Sequence, residues 1–387
     1  MAAELRSAVQ ARHRDLLGRR RHFHAQPELA FKETKTAAVI ADHLQGWGYE
    51  VRTGVAQTGV VANLRGTREG RGVLVRADMD GLPIKEEGDL PFRSLSEGVM
   101  HACGHDVHMA IALTLADLLA ERRAEVPGLV RFAFQPAEEV AGGARPMIEA
   151  GVLEGIDRVL GLHVWAGLGV GMIGVRPGPM WASADQFRLT VRGRGGHGAM
   201  PHLTVDPVVV AAQVVTGLQA LISRETAPAD PAVLTLGTIE GGTAHNVVAS
   251  SVAMTGTVRT FDARVRERLL RRIPELADGI AKSYRASAEF NLGSSAPPLI
   301  NDASVASLVA EAAGSVSGVQ VTEFEPLMVG EDFACFLEER PGCFFLLGGA
   351  PAEGPAVHHT GSFRIDERCL AIGLEVLAAA TLRLLQN

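Results

Sequence analysis

The stretch GVLVRADMDGLP, residues 72–83, decides the fold. Val73, Leu74, Val75 and Ala77 form an apolar run of strand length that stops at Asp78 and Asp80 and a Gly-Leu-Pro turn. Three runs of the same kind surround it: VVANLRG (60–66), LVRFAFQP (129–136) and RVLGLHV (158–164). Helix-like stretches at 106–124 and 142–150 lie between them. Strands alternating with helices predict an α/β domain built on a doubly wound, mostly parallel sheet. Upstream, residues 4–21 and 33–47 have helical periodicity, and the second ends on the glycines of GWGYE (46–50), a C-terminal stop.

The pattern changes near residue 180. QFRLTVRGRG (186–195) alternates with period two, and a helix follows over about 205–224. The strands AVLTLGTIEGG (232–242) and SVAMTGTVRT (251–260) come next, then a charged helix from 262 to about 285 and the strand ASAEFNL (286–292). This β-α-β-β-α-β order predicts a ferredoxin-like α+β layer. GSSAPPLIN (293–301) reads as a return linker, after which α/β alternation resumes through CFFLLGG (343–349) to a long helix from 367. The expected division is a catalytic domain over 1–179 and 294–387, with an inserted domain over 180–293.

Composition bounds the function. The chain has 387 residues, 47% hydrophobic and 21% charged, which excludes disorder and provides for sizeable cores. Its net charge of −7 without a long basic run argues against nucleic acid or an anionic membrane as partner. The most apolar window noted, PVVVAAQVVTGLQALI (207–222), is interrupted by Gln213 and Gln219, so no membrane span is expected. The N-terminal MAAELRSAVQARHRDLLGRRRHF lacks the apolar stretch of a secretory signal, and Cys103, Cys335, Cys343 and Cys369 make no disulfide framework. Both point to a cytoplasmic protein.

In doubly wound sheets ligands gather at the carboxyl ends of strands. Asp78 and Asp80 end one run, Glu138 and Glu139 of FAFQPAEE (132–139) another, and His163 falls at the end of a third. HACGHDVH (101–108), with Cys103, His105, Asp106 and His108, opens a helix, and AVHHTGSF (356–363) adds His358 and His359. Thiolate, imidazole and carboxylate converging on one edge form a donor set for zinc or a similar borderline divalent ion. Adjacent side chains at a strand end diverge, so one of the two glutamates can hold metal while the other faces away; if Glu139 ligates, Glu138 can take a proton from water and hand it to a leaving amine. The motifs H-E-x-x-H, G-x-S-x-G and G-x-x-x-x-G-K-[ST] are absent.

In order along the chain, RADMDGLPI, MHACGHDVHMA, FQPAEE, GLHVW, GRGGHGAMPH, GTVRTFD, GEDFACFLEERPG and HHTGSFRIDE resemble the metal-dependent N-acyl-amino-acid amidohydrolases. This is the hippurate hydrolase and auxin-conjugate hydrolase group, related to metallo-aminoacylases and dinuclear zinc carboxypeptidases. The resemblance spans about residues 15–385. It implies a dinuclear metal domain with an inserted lid, Cys103, His105, Glu139, His163 and His359 as ligands, and Glu138 as general base. His359 is chosen over His358 because family members place Phe or Tyr four residues on, where Phe363 stands; where they often have Pro, this chain has Gly361. Asp80 is expected to orient a ligand imidazole, the alternative being a cap on the turn before Leu82-Pro83. His197 of the lid resembles a histidine that polarises the scissile carbonyl. Asn246 and Arg259 are candidates for the substrate carboxylate, Arg259 alternatively making a cross-strand ion pair.

The expected enzyme binds two divalent ions (Zn, Mn, Co or Ni) and hydrolyses the amide of N-acyl amino acids. A homodimer through the lid, or a higher homo-oligomer, is implied by the resemblance. The competing readings are a metallo-dipeptidase or carboxypeptidase of neighbouring type, and a metal-binding protein without catalysis.

Overall fold

A computed structural model of the chain describes residues 2–386. The chain divides into two units, one of Met1–Gly178, Ile300–Glu325 and Asp332–Asn387, the other of Pro179–Leu299 and Pro326–Glu331.

The first unit is built on strands β1 (Glu50–Val55), β2 (Gly59–Arg65), β3 (Arg68–Asp78), β4 (Pro127–Gln135) and β5 (Arg158–Gly169). Its eight-stranded sheet runs β1-β2-β4-β3-β5 and continues through Gly342–Ala350, Met172–Gly174 and Gln320–Thr322. β4, β3, β5 and Gly342–Ala350 are mutually parallel, as the alternation of strands and helices requires. β2, by contrast, runs antiparallel to both β1 and β4. Only Ala56, Gln57 and Thr58 separate it from β1, with Ala56 at φ 52° and Gln57 at φ 77°, and a connection that short permits only a hairpin.

Helices α1 (Ala2–Ala11), α2 (His13–Ala25), α3 (Thr34–Gly46) and α4 (His105–Glu121) belong to this unit. The single helix expected over 4–21 is two, broken at Arg12, whose guanidinium turns inward to Asp117 and Glu121 of α4. α4 is buried on almost every face, from His105 to Leu119. The helix Cys369–Gln386, rather than 207–222, is the most membrane-like segment: its mean hydropathy is 1.6 over 18 residues. It packs on α4 and β3, and Leu370, Leu374, Leu377 and Leu384 lie in the main core, so its apolarity is accounted for by burial.

The second unit has the expected β-α-β-β-α-β order, with strands Ala184–Arg192, Ala232–Gly241, Ser251–Thr260 and Ser287–Ala296 and helices Pro207–Ser223 and Ala263–Ser283. The sheet is antiparallel, with Ala184–Arg192 between Ser251–Thr260 and Ser287–Ala296 and Ala232–Gly241 at one edge. Phe187, Leu189 and Val191 alternate inward to meet Val214, Leu218, Leu269 and Ile273 from the helices. Asp206 and Asp262 cap the helix N-termini through their carboxylates. Pro326–Glu331 is tied in by backbone bonds from Ala182 N to Leu327 O (3.1 Å) and from Leu327 N to Met180 O (3.0 Å).

Candidate metal centre

β4, β3 and β5 are parallel and adjacent, so Asp78 at the end of β3, Glu138 and Glu139 in the turn after β4 and His163 come to one edge. His163 does not end its strand, as the sequence suggests, but lies midway along β5, which runs on to Gly169. Cys103 and His105 flank Gly104, which starts α4 with φ 94°. A Cβ at Gly104 would stand 2.3 Å from Val164 Cγ1, so only glycine permits both the left-handed step and the approach of α4 to β5. The loop bearing His359 reaches the same place through a bond from His359 N to Ala102 O (2.9 Å), with His359 at φ 60°. Gly361 is explained by that loop, since a Cβ there would lie 2.5 Å from Lys85 O.

Cys103, His105, Glu138, Glu139, His163 and His359 come together. Cys103 Sγ is 3.4 Å from His163 Nε2 and 3.3 Å from His359 Nε2, and His359 Nε2 is 3.4 Å from Glu139 Oε2. His105 Nε2 lies 3.8 Å from Glu139 Oε1 and 3.9 Å from Glu138 Oε2. Two ligand trios, Cys103–His105–His163 and Cys103–Glu139–His359, meet at the thiol. Their spacings match those of atoms sharing an ion at bond lengths of about 2.0–2.3 Å. His105 Nε2 and Glu139 Oε1 are buried atoms with no hydrogen-bond partner, as expected of donors whose partner is a cation.

The electrostatics agree. Burial and the neighbouring Asp80 and Asp78 push Glu139 up to about 7. His105 is depressed by burial, but Asp78, Asp80 and Glu139 outweigh this and raise it to about 10, so the carboxylates around it favour a positive charge at this place, as a cation site does. Burial and nearby imidazoles hold His163 well below its ordinary value, so it is neutral. His163 Nδ1 donates to Val164 O (2.7 Å) and His105 Nδ1 to Asp80 O (2.8 Å), leaving both Nε2 lone pairs for a metal.

Residues 74–383 match the family described as Peptidase family M20/M25/M40. The chain belongs to that family. It is thus a metal-dependent hydrolase. It is 39% identical over 381 residues to the N-acetylcysteine deacetylase of Bacillus subtilis, covering 98% of this chain and 99% of that one. It is 44% identical over 299 residues to the N-acyl-L-amino acid amidohydrolase of Geobacillus stearothermophilus, covering 77% of this chain and 81% of the other. A crystal structure of a dinuclear metal-binding M20 peptidase from Bacillus subtilis superposes with a TM-score of 0.84 at 38% identity, over 97% and 99% of the two chains.

Several contacts in this M20 hydrolase escaped the sequence reading, although His108, Asp78, Asp80 and His358 were among its candidates. His108 donates from Nδ1 to Asp78 (2.6 Å) and accepts at Nε2 from Val164 N (2.9 Å), which holds the residue next to His163. Its place one turn after His105 was the available signal. Asp78 is further bound by Arg76 (2.6 Å), which also reaches Gln135 (3.0 Å) and Asp332 (3.1 Å). Asp80 meets the His105 imidazole mainly through its carbonyl, the carboxylate Oδ1 standing 3.5 Å away. The carboxylate instead accepts from Glu138 N and Glu139 N, each at 3.0 Å. His358 stacks on Trp165 (4.6 Å between rings) and accepts from Ala166 N (3.1 Å).

The remaining candidates lie in the second unit. His197 is exposed on the short strand Gly196–His197, paired with Val247–Val248, and Gly198 N bonds Asn246 O (2.8 Å), so His197 and Asn246 share one ribbon. Arg259 is half-buried on the sheet face away from the helices, with Thr255 and Thr257. Burial lowers its guanidinium, opposed by Asp185.

Proposed function

We propose that this M20 hydrolase cleaves the amide of N-acyl amino acids, releasing a carboxylic acid and a free amino acid. The observation that carries the reading is the paired set of ligand trios around Cys103, with the unpartnered His105 Nε2 and Glu139 Oε1 facing Glu138. Cys103, His105, Glu139, His163 and His359 hold two divalent ions, the thiolate and imidazoles favouring zinc, cobalt or nickel over magnesium, with manganese a further candidate through the carboxylate. Two such ions supply Lewis acidity toward the carbonyl and make water a nucleophile near neutral pH. Glu138 takes the proton from the attacking water and delivers it to the leaving nitrogen. Asp80 keeps Glu138 and Glu139 in place through their amides and His105 through its carbonyl. His197 donates to the developing oxyanion, and Asn246 and Arg259 take the substrate carboxylate. Residues 180–293 act as a lid and, in a homodimer, as the subunit contact, over a catalytic domain of 1–179 and 294–387; the enzyme works in the cytoplasm.

The test is elemental analysis together with hydrolysis of N-acetyl, N-benzoyl, indoleacetyl and long-chain N-acyl amino acids, beside glycyl dipeptides, with and without chelator. Two divalent ions per chain and chelator-sensitive release of amino acid from the acyl series are expected. Turnover restricted to the dipeptides would favour a dipeptidase, and failure to bind metal would overturn the ligand set. Glu138→Ala should retain both ions and lose about 10²–10⁴ in kcat.

A further inference from the structure

Glu33 is fully buried at the head of α3, yet its carboxylate makes no cap to that helix. Its Oε1 accepts from Phe31 N (3.0 Å) and from Ala137 N (2.9 Å), and its Oε2 from the Thr58 hydroxyl (2.6 Å). Burial pushes this carboxyl upward against those bonds, and Asp80 adds to the rise. Ala137 has φ 54° and ψ 41°, and Phe31 has φ 59°. Left-handed backbone at a residue with a side chain is strained and persists only where the surroundings hold it. One carboxylate oxygen therefore joins two strained residues from distant parts of the chain.

The next two amides end on Asp80, Glu138 N and Glu139 N each lying 3.0 Å from one of its oxygens. Three successive N–H groups at 137–139 thus converge on buried carboxylates, in the manner of a backbone anion nest. The turn closes behind them with Ala141 N on Glu138 O (2.7 Å) and Gly142 N on Ala137 O (2.9 Å). Asp80 holds the amides of the two glutamates, but the left-handed step that swings the chain off β4 belongs to Ala137, and Glu33 holds that residue's amide.

We propose that Glu33 is a positioning residue for the Glu138–Glu139 pair: by gripping the Ala137 amide it sets the turn at the end of β4 and hence where both carboxylates point. This rests on the roles given above to Glu138 and Glu139. A carboxylate serves here because one oxygen must accept two amides while the other accepts a hydroxyl, which no apolar residue of that size can do.

The experiment compares Glu33→Leu and Glu33→Gln by hydrogen exchange of the peptide spanning 137–139 in the metal-free chain, and by kcat and KM of the metal-loaded enzyme. In Glu33→Leu, exchange over 137–139 should quicken ~10-fold or more while the core strands stay protected. Its kcat should fall ~10–100-fold with KM within ~2-fold, since small displacements of reacting groups act on turnover. Glu33→Gln keeps the Oε1 acceptor and should restore both readouts to within ~3-fold of wild type. If Glu33→Leu does not fold, Glu33→Asp, too short to span Thr58 and Ala137, should show the same exchange loss confined to 137–139. Unchanged exchange there in a folded Leu or Asp variant, or a Gln variant as damaged as Leu, overturns the proposal. Undiminished turnover in Glu138→Ala would overturn the base assignment alone, because the exchange readout does not depend on it.

Discussion

Replacing His108 with leucine removes two buried hydrogen bonds while leaving the volume nearly unchanged. His108 is 2% exposed, and burial holds its imidazole below the ordinary value despite Asp78, so it is neutral, with its single N–H on Asp78 and its lone pair on Val164 N. In the variant the Val164 amide is orphaned, which costs about 1–3 kcal/mol. Asp78 is also fully buried, and burial alone would raise its carboxyl; His105, Arg76 and His108 together hold it well below the usual range. It would keep Arg76 but lose a 2.6 Å charged bond worth about 1.5–3 kcal/mol. The expected destabilisation of the first unit is about 3–5 kcal/mol, or a fall in Tm of about 6–20 °C for a unit of this size. Thermal and denaturant unfolding should be measured in excess chelator, so that ion binding does not add to the stability of either protein. A separate competition titration should show metal affinity about 10–100-fold weaker, because Val164 follows His163. A chelated variant within about 1 kcal/mol of wild type would refute the assignment of both bonds.

All four cysteines are buried, but Cys103 at the site keeps 9% exposure while Cys335, Cys343 and Cys369 keep 2% or less, burial pushing Cys369 up to about 12. A thiol reagent at pH 8 should therefore find one reactive cysteine in chelator, none with bound metal, and the other three only in denaturant; a metal-indifferent count would exclude Cys103 as a ligand. In the second unit Arg266 grips the fully buried Asp185 with two bonds of 2.9 Å, and the Ser295 hydroxyl donates to the same carboxylate (2.6 Å). Arg266→Ala should lower denaturant stability by about 3–5 kcal/mol, and a loss below about 1 would mean that Asp185 finds another partner. His24 is depressed by burial, but Asp106 (2.8 Å) and Glu86 (3.1 Å) outweigh this and raise it above 6.5. Its stabilisation is thus complete below pH 6.5 and lost as pH rises through the folded value. The stability advantage of wild type over His24→Leu should shrink from pH 6 toward pH 8 in paired denaturant titrations; parallel curves would show that the ion pairs do not hold.

Much was legible in the chain itself. Run lengths separated strands from helices, the period change near residue 180 marked a second α+β layer, and Asp78, the Glu138–Glu139 pair and His163 pointed to one edge because their strands are parallel neighbours, although β5 runs six residues past His163 to Gly169. What remained hidden depended on partners remote in sequence. Arg76 meets Asp332 across 256 positions, and Glu33 meets Ala137 across 104. The antiparallel course of β2 followed from three linker residues rather than from strand composition, and the break at Arg12 from acids on α4.

The sequence by itself determined which residues could bind metal and which segments bury themselves, since donor chemistry and apolar periodicity are local properties. Only the tertiary structure decided which lone pair of each imidazole is free, which oxygen of Asp80 faces His105 and which its neighbours' amides, and why position 361 is glycine. Those outcomes depend on contacts between segments distant in sequence, such as Asp80 O to His105 Nδ1 (2.8 Å) and Asp80 to Glu138 N (3.0 Å), which exist only once the core has packed.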